Sequence, residues 1–434
     1  MSYSEKHHVV IVGGGIAGLE IATIFGRRCK KKKEQLQVTL VDRDVAHIWK
    51  PMLHTIAAGT HTTSQQQVAY ILQAYDSGFV YHQGDLIGLD RTEKAITVAE
   101  LKAHDGRIMI PERKIHYDTL ILAVGSKAND FGTPGVSEYC HSIDSRQLAK
   151  QFHRELRVQI FQSLSSKKKL EIAIVGGGAT GVELSVELID FIKSTEALGG
   201  EGLTKNYSIT LIESGPRLLA AFPEDISEAT KRRLESLGID VRLNAKVNSA
   251  TEDGYLLDGG ELIPASLRVW AAGVKADETL SKFDGLETNH NNQLIIRPSL
   301  QTTLDDHIFA IGDCSSLTLP TEARPFPPTA QVAHQQAQHI IKYLPKAIFK
   351  NQPIPDFKYH DFGSIVSLGA YDAYASLGKF GFLKPTTIRG KLAQLGHIML
   401  YRTHQVMLYG LIRGSLLWMS EKLATKVSPE IDVD

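Results

Sequence analysis

Cysteine is scarce in this chain. Its 434 residues hold three, Cys29, Cys140 and Cys314, far apart and with no CxxC pair. That argues against a disulfide framework, a zinc cluster or a dithiol redox loop, and fits a reducing compartment. A surplus of one charge is missing too: 48 Lys and Arg face 48 Asp and Glu, so there is no global basic footprint and no nucleic-acid partner is expected. No stretch reaches the roughly 18 apolar, charge-free residues of a spanning helix. The first apolar run begins by His8, leaving no room for a charged and then apolar signal segment, so the expectation is a protein that starts in the cytosol and does not cross a bilayer. His54, His334 and His404 have no ligand spacing, and no metal is predicted.

What the chain does have is one motif written twice. "HHVVIVGGGIAGLEIA" and "LEIAIVGGGATGVELSVEL" each carry a β-branched run into three glycines and then into a helical pattern. Gly13, Gly15 and Gly18, and again Gly176, Gly178 and Gly181, fit G-x-G-x-x-G. The first glycine permits the tight turn, the second lets the backbone approach a pyrophosphate, and the third lets helix pack on strand. Each copy also has a second strand that ends in an acid: "QVTLVDRD" supplies Asp42, and "SITLIES" supplies Glu213. These lie 24 and 32 residues past the last glycine, against about 20 expected, and the Gly-rich insertion "EALGGEGLTKN" explains the longer offset. A carboxylate there accepts from ribose hydroxyls and repels a 2′-phosphate, so Glu213 favours NADH over NADPH. Arg217 reads as a solvated charge at a helix start.

Two dinucleotide seats in a chain too long for one core predict an α/β protein with two Rossmann-like domains. The order "VVIVGGGIAGLEIA", "DTLILAVGS", "IAIVGGGATGVEL", "RVWAAGV" and "IFAIGDCSS" resembles the two-dinucleotide-binding-domain flavoprotein reductases along nearly the whole chain. Within them it is most similar to the type II NADH dehydrogenases, single-subunit NADH:quinone oxidoreductases, through "HIWKPMLHTIAAGT", "PPTAQVAHQQAQ" and a basic amphipathic tail. The first of these stretches lacks the cysteine pair of a disulfide reductase. Cys140 and Cys314 read as small packing residues rather than sulfide-attacking thiols.

The resemblance implies that the second domain is inserted in the first: FAD-binding domain 1–165, NADH-binding domain 166–294, FAD-binding domain resumed 295–345, and a C-terminal domain 346–434. It implies FAD contacts at Gly13, Gly15, Gly18, Asp42, Lys50, Ala123, Gly125, Gly312, Asp313 and Gln331. NADH contacts are implied at Gly176, Gly178, Gly181, Glu183, Glu213, Ala272 and Gly273. Glu183, Gln331, Gln335 and Lys379 are the expected catalytic residues, with the two glutamines at i and i+4 on one helix face and a lysine near the flavin favouring its reduced anionic form.

The expected reaction passes a hydride from NADH to FAD and electrons on to a membrane quinone, without proton pumping. Between Thr386 and Lys426 six basic residues stand against one acid, Glu421, among Leu392, Leu395, Met399, Met407, Leu411, Leu416, Leu417 and Trp418 at helical spacing. That pattern suits helices lying in a headgroup plane, and the quinone resemblance implies that they do so on the inner surface of the cytoplasmic membrane, a peripheral place on its cytoplasmic side. It suits equally a closed C-terminal domain or a homodimer interface. The rival readings are a soluble NAD(P)H-dependent ferredoxin or rubredoxin reductase and a flavoprotein redox sensor.

Overall fold

The computed structural model describes residues 6–31, 35–60, 67–319, 324–369, 372–377 and 387–427. Its contacts divide the chain into two compact units, 1–49 with 67–127 and 274–359, and 50–66 with 128–273 and 360–434.

The first unit is built on a five-stranded sheet in the order Ile308–Ala310, Thr119–Leu122, His7–Val12, Leu36–Asp42, Val80–Gln83. Every pairing is parallel. Parallel strands bury both faces and therefore read as continuous apolar runs; Val9, Val10 and Ile11 are fully buried. The helix Ile16–Lys30 follows the first glycine turn and packs along the helix Ala330–Lys350.

The second unit repeats the construction with four parallel strands, Ile239–Arg242, Tyr207–Ile212, Leu170–Val175 and Leu267–Trp270. The helix Ala179–Ala197 follows its glycine turn. The same unit contains an antiparallel sheet, Gly363–Leu368, Asp372–Leu377 and Thr387–Arg389, covered by the helix Lys391–Tyr409 and followed by Leu411–Val427. This small sheet was not read from the sequence, because three- to six-residue strands carry little periodic signal. No helix among the described residues is long and apolar enough to cross a membrane.

The chain leaves the first sheet after Leu122 and rejoins it at Ile308, with all four strands of the second sheet between. The expected insertion of one Rossmann-like element in another is the topology found. Contacts cut the chain elsewhere than at 165, 294 and 345. The helix Leu53–Ala58 packs on the helices Arg146–Ser166 and Ala179–Ala197, which takes residues 50–66 into the second unit. Asp277, Thr279, Leu280 and Phe283 line a cleft with Asp42, which takes the chain after Gly273 into the first.

Candidate active site

In the first unit Gly13 turns the chain at φ +100°, and a Cβ there would stand 2.2 Å from the Ala123 carbonyl oxygen. A Cβ on Gly18 would stand 1.9 Å from the Gly13 oxygen. Both positions are closed to any side chain. Gly15 is the opposite case: an added Cβ meets no protein atom within 4 Å. The second glycine therefore borders clear space at the junction of strand and helix, where backbone N–H groups and the helix dipole favour an anion. The residues fit a dinucleotide pyrophosphate.

The acid closes the turn from the side. Asp42 Oδ2 accepts the Gly14 N–H at 2.5 Å, and Oδ1 accepts the Asp44 N–H at 2.8 Å. Burial pushes this carboxyl up to about 6 against the pull of those two bonds. The Gly14 carbonyl accepts in turn from the Tyr70 hydroxyl at 2.8 Å and from His47 Nδ1 at 3.0 Å. Burial holds His47 down to about 4, so the ring is neutral and the proton on Nδ1 is the one the carbonyl accepts. Neither residue was singled out in the sequence, because their partner is a backbone atom more than 30 positions away. The cleft beside this turn is lined by Val41, Asp42, Arg43, Gly84, Asp85 and Asp277, among others.

Asp313 sits in a tight turn that follows the Ile308–Ala310 strand, where its Oδ2 accepts the Ser126 hydroxyl at 2.7 Å. Gly125 is left-handed at φ +74° with open space around it. Ala123 lies directly against Gly13. The helix Ala330–Lys350 begins at Thr329, whose hydroxyl accepts the Val332 N–H at 3.3 Å. Gln331 is half-buried and accepts the Tyr359 hydroxyl at 3.0 Å; Gln335 is also half-buried. A third glutamine, Gln336, is the one whose Oε1 accepts the Gly312 N–H at 2.6 Å, and it is 1% exposed. The i, i+4 spacing had drawn attention to its neighbours, whereas its own face points at the Gly312–Cys314 turn.

The second unit carries the matching turn. Gly176 has φ +117°, with an added Cβ 2.7 Å from the Ala271 carbonyl, and a Cβ on Gly181 would stand 2.0 Å from the Gly176 oxygen. Gly178, like Gly15, borders open space. Glu213 Oε2 accepts the Gly177 N–H at 2.7 Å, and Oε1 accepts the Gly215 N–H at 2.6 Å. Here the Gly177 carbonyl is held by the Leu219 backbone N–H at 2.8 Å. Ala272 and Gly273 follow the strand Leu267–Trp270; Gly273 is left-handed at φ +62° and its oxygen accepts the Asn129 N–H at 3.3 Å.

Arg217 is not the solvated charge that the sequence suggested. Its guanidinium donates to the Phe222 oxygen at 2.7 Å, the Ser227 hydroxyl at 3.0 Å and the Ala220 oxygen at 2.8 Å. The cation nearest in sequence to Glu213 is thus consumed in stapling its own loop.

Glu183 is 7% exposed. Its Oε1 accepts the Ser367 N–H at 3.0 Å, and its Oε2 lies 3.5 Å from His54 Nδ1. Burial is the main cause that pushes it up to about 8. Lys50 is exposed in a short turn of this same unit. Lys379 lies outside the described residues. Among the thiols, Cys314 is fully buried and pushed up to about 11, and burial also raises Cys140. Both are protonated at neutral pH, the inert condition of a packing cysteine.

The family profile of the pyridine nucleotide-disulphide oxidoreductases matches residues 7–337. A type II NADH:quinone oxidoreductase of Haemophilus influenzae is 40% identical over 445 residues, spanning 98% of this chain and 99% of that protein. A protein of the same name from Staphylococcus aureus is 28% identical over 402 residues, spanning 90% and 92%. Among solved structures, NDH2 from Plasmodium falciparum in complex with NADH superposes with a TM-score of 0.82 at 21% identity, over 98% of this chain and 100% of that one. The sulfide:quinone oxidoreductase of Aquifex aeolicus does so with a TM-score of 0.73 at 20% identity, over 99% and 98%. These two likenesses bear on the fold. Taken with the two acid-closed glycine turns and the insertion of one parallel sheet within the other, the sequence relatives make the chain a member of the type II NADH:quinone oxidoreductases, within the pyridine nucleotide-disulphide oxidoreductase family.

Proposed function

We propose that this protein oxidises NADH with FAD as resident cofactor and delivers the electrons to a membrane quinone, without pumping protons. The observation that carries the reading is the duplicated turn: two seats with the second glycine left open and an acid across the flank, on separate parallel sheets, suit two dinucleotides rather than one. FAD belongs to the first turn, with Gly13, Gly15, Gly18, Asp42, Ala123, Gly125 and Asp313. NADH belongs to the second, with Gly176, Gly178, Gly181 and Glu213. The chemistry a bound FAD supplies is acceptance of a hydride and release of the electron pair to the quinone. The chain's own part is to bind and orient: holding two rings at reacting distance replaces an encounter in solution. A 2′-phosphate would meet the Glu213 carboxylate, and the Arg217 guanidinium is engaged within its own loop, which supports NADH as donor. Gln331, Gln335 and Lys379 are assigned to the flavin and quinone side on the family resemblance.

The C-terminal helices are assigned to the membrane surface on the cytoplasmic side. Ile412, Leu416, Met419 and Leu423 recur at i, i+4, i+7 and i+11 and are 60–79% exposed. Leu395 and Met399 on the preceding helix are about half exposed. Withdrawing one such side chain from water is worth about 2 kcal/mol, so the stripe supplies enough to hold a helix in a headgroup plane. A homodimer would bury the same stripe.

The test is spectroscopic. The purified protein should show oxidised-flavin absorption, lose it on addition of NADH under nitrogen, and regain it with a short-chain quinone. A colourless protein that does not take up FAD overturns the reading. Failure of a quinone to restore the colour, with restoration by ferredoxin or rubredoxin, moves it to the soluble reductases. Removing residues 388–434 should release the protein from liposomes, and sedimentation velocity of the intact chain separates membrane binding from dimerisation.

A further inference from the structure

The helix Ala179–Ala197 carries Glu183, Glu187 and Asp190 at i, i+4 and i+7, a run of acids on adjacent positions of one face. Glu187 is engaged by the Thr60 hydroxyl at 2.5 Å, and Asp190 Oδ2 lies 2.7 Å from the place where a Cβ on Gly369 would stand. Glu183 is the buried member of the run. The groups found against it are His54 from the helix Leu53–Ala58 and the Ser367 N–H from the strand Gly363–Leu368, with Glu187 on its own helix. His54 brings a ring nitrogen, Nδ1, to 3.5 Å from the carboxyl.

The two oxygens of Glu183 are not equivalent. Oε1 accepts an N–H, a part that an acid's carbonyl oxygen takes more readily than its hydroxyl oxygen. Oε2 is left to carry the proton, 3.5 Å from Nδ1, with His54 itself 4% exposed. A carboxylate so enclosed is costly to ionise beside a second acid, while a neutral acid next to a ring nitrogen is satisfied.

We propose that His54 is a positioning residue for Glu183: the two side chains hold one proton in common, and His54 Nδ1 keeps it at Oε2. Either placement of that proton, on the acid or on the imidazole, leaves the pair without net charge, so the pair ionises at higher pH than Glu183 would alone. Oxidation of NADH by a quinone consumes one proton beyond the hydride, so the state of the pair enters the pH profile of turnover. That kinetic consequence rests on the proposed reaction; the shared proton does not.

The experiment uses the full-length, FAD-loaded protein with its histidines ¹⁵N-labelled, followed by NMR across about pH 5 to 10 with neither NADH nor quinone present. The His54 Nδ1 resonance should move in one step above neutrality as the pair loses its proton. Glu183→Gln should abolish that step; an unchanged His54 titration in Glu183→Gln overturns the proposal. In steady-state assays with a short-chain quinone, the alkaline limb of kcat should shift down by about one pH unit in His54→Leu, which removes the second site for the shared proton. A smaller shift should be seen in the polar variant His54→Gln. An unmoved limb in both folded variants overturns the kinetic consequence. Should Glu183→Gln abolish the NMR step yet keep the wild-type pH profile, the shared proton stands and Glu183 leaves the reaction.

Discussion

The two glycine turns share their steric logic and differ in what holds the middle glycine. In both, the first and third glycines are forced by a backbone carbonyl within about 3 Å of a would-be Cβ, and the second is open. In both, an acid at the end of the neighbouring strand accepts the middle glycine's N–H. The middle carbonyl is where they part. Gly14 is gripped by two buried side chains, Tyr70 and His47, and a Cβ on Gly14 would lie 2.4 Å from the Tyr70 ring. Gly177 is held by one backbone N–H from the loop after Glu213, whose buried Leu219 sits at φ +49°. A turn locked by core side chains suits a cofactor that stays; a turn held by a loop suits a substrate that comes and goes.

The largest effects should come from breaking the steric rule. Gly13→Ala and Gly176→Ala place a side chain at positive φ against backbone, each costing more than about 3 kcal/mol. Thermal unfolding should show both variants strongly destabilised or unfolded. Gly15→Ala and Gly178→Ala should keep the wild-type Tm, because nothing in the protein meets the new methyl. Gly15→Ala should emerge depleted of flavin, and Gly178→Ala should retain flavin with a KM for NADH raised at least about tenfold, the effect of blocking a close backbone approach. Equal behaviour of the two open positions would erase the assignment of one dinucleotide to each.

Next in size is Glu213→Ala. It removes the ribose acceptor and should raise the KM for NADH by about tenfold, one lost charge-assisted hydrogen bond, and narrow the preference over NADPH. Steady-state kinetics with both nucleotides checks it. Arg217→Ala, by loosening the loop, should raise both KM values without changing their ratio.

Tyr70→Phe sharpens the difference between the turns. It leaves the ring in place and removes one buried bond to Gly14, costing about 1 kcal/mol. Flavin retention on dilution should fall while the KM for NADH holds, and the reverse pattern would contradict the distinction between locked and loop-held turns.

The smallest effect is electrostatic. Glu20, fully buried on the helix Ile16–Lys30, accepts from His334 Nδ1 at 2.7 Å and from Gln338 on the helix Ala330–Lys350. That bond raises His334 above its ordinary 6.5. A raised histidine stabilises fully below its unfolded value, and the contribution disappears as pH rises through the folded one. The Tm difference between wild type and His334→Ala should therefore be largest near about pH 6 and shrink by about pH 9. With the ring half-exposed, the difference should be modest.

Much of this was legible beforehand because it is local. A β-branched run, glycines at fixed spacing and an acid at the next strand's end declare a nucleotide seat within some 30 residues, and the seat appears twice. Gln336, Tyr70 and His47 were not legible, since each acts on a backbone atom of a distant segment. Arg217 misled because a charge beside a loop looks solvated until its carbonyl partners are known. The small antiparallel sheet in the C-terminal part escaped because its strands are too short for a period to show.

By itself the sequence determined that there are two glycine-turn seats and which acids close them, because these depend on neighbours along the chain; the insertion of one sheet within the other came from the family resemblance. Only the tertiary structure decided that Glu183 is a buried acid facing His54, and that one turn is locked by core side chains and the other by a loop. Burial and the pairing of groups far apart in sequence are properties of packing, and packing is not written in any single segment.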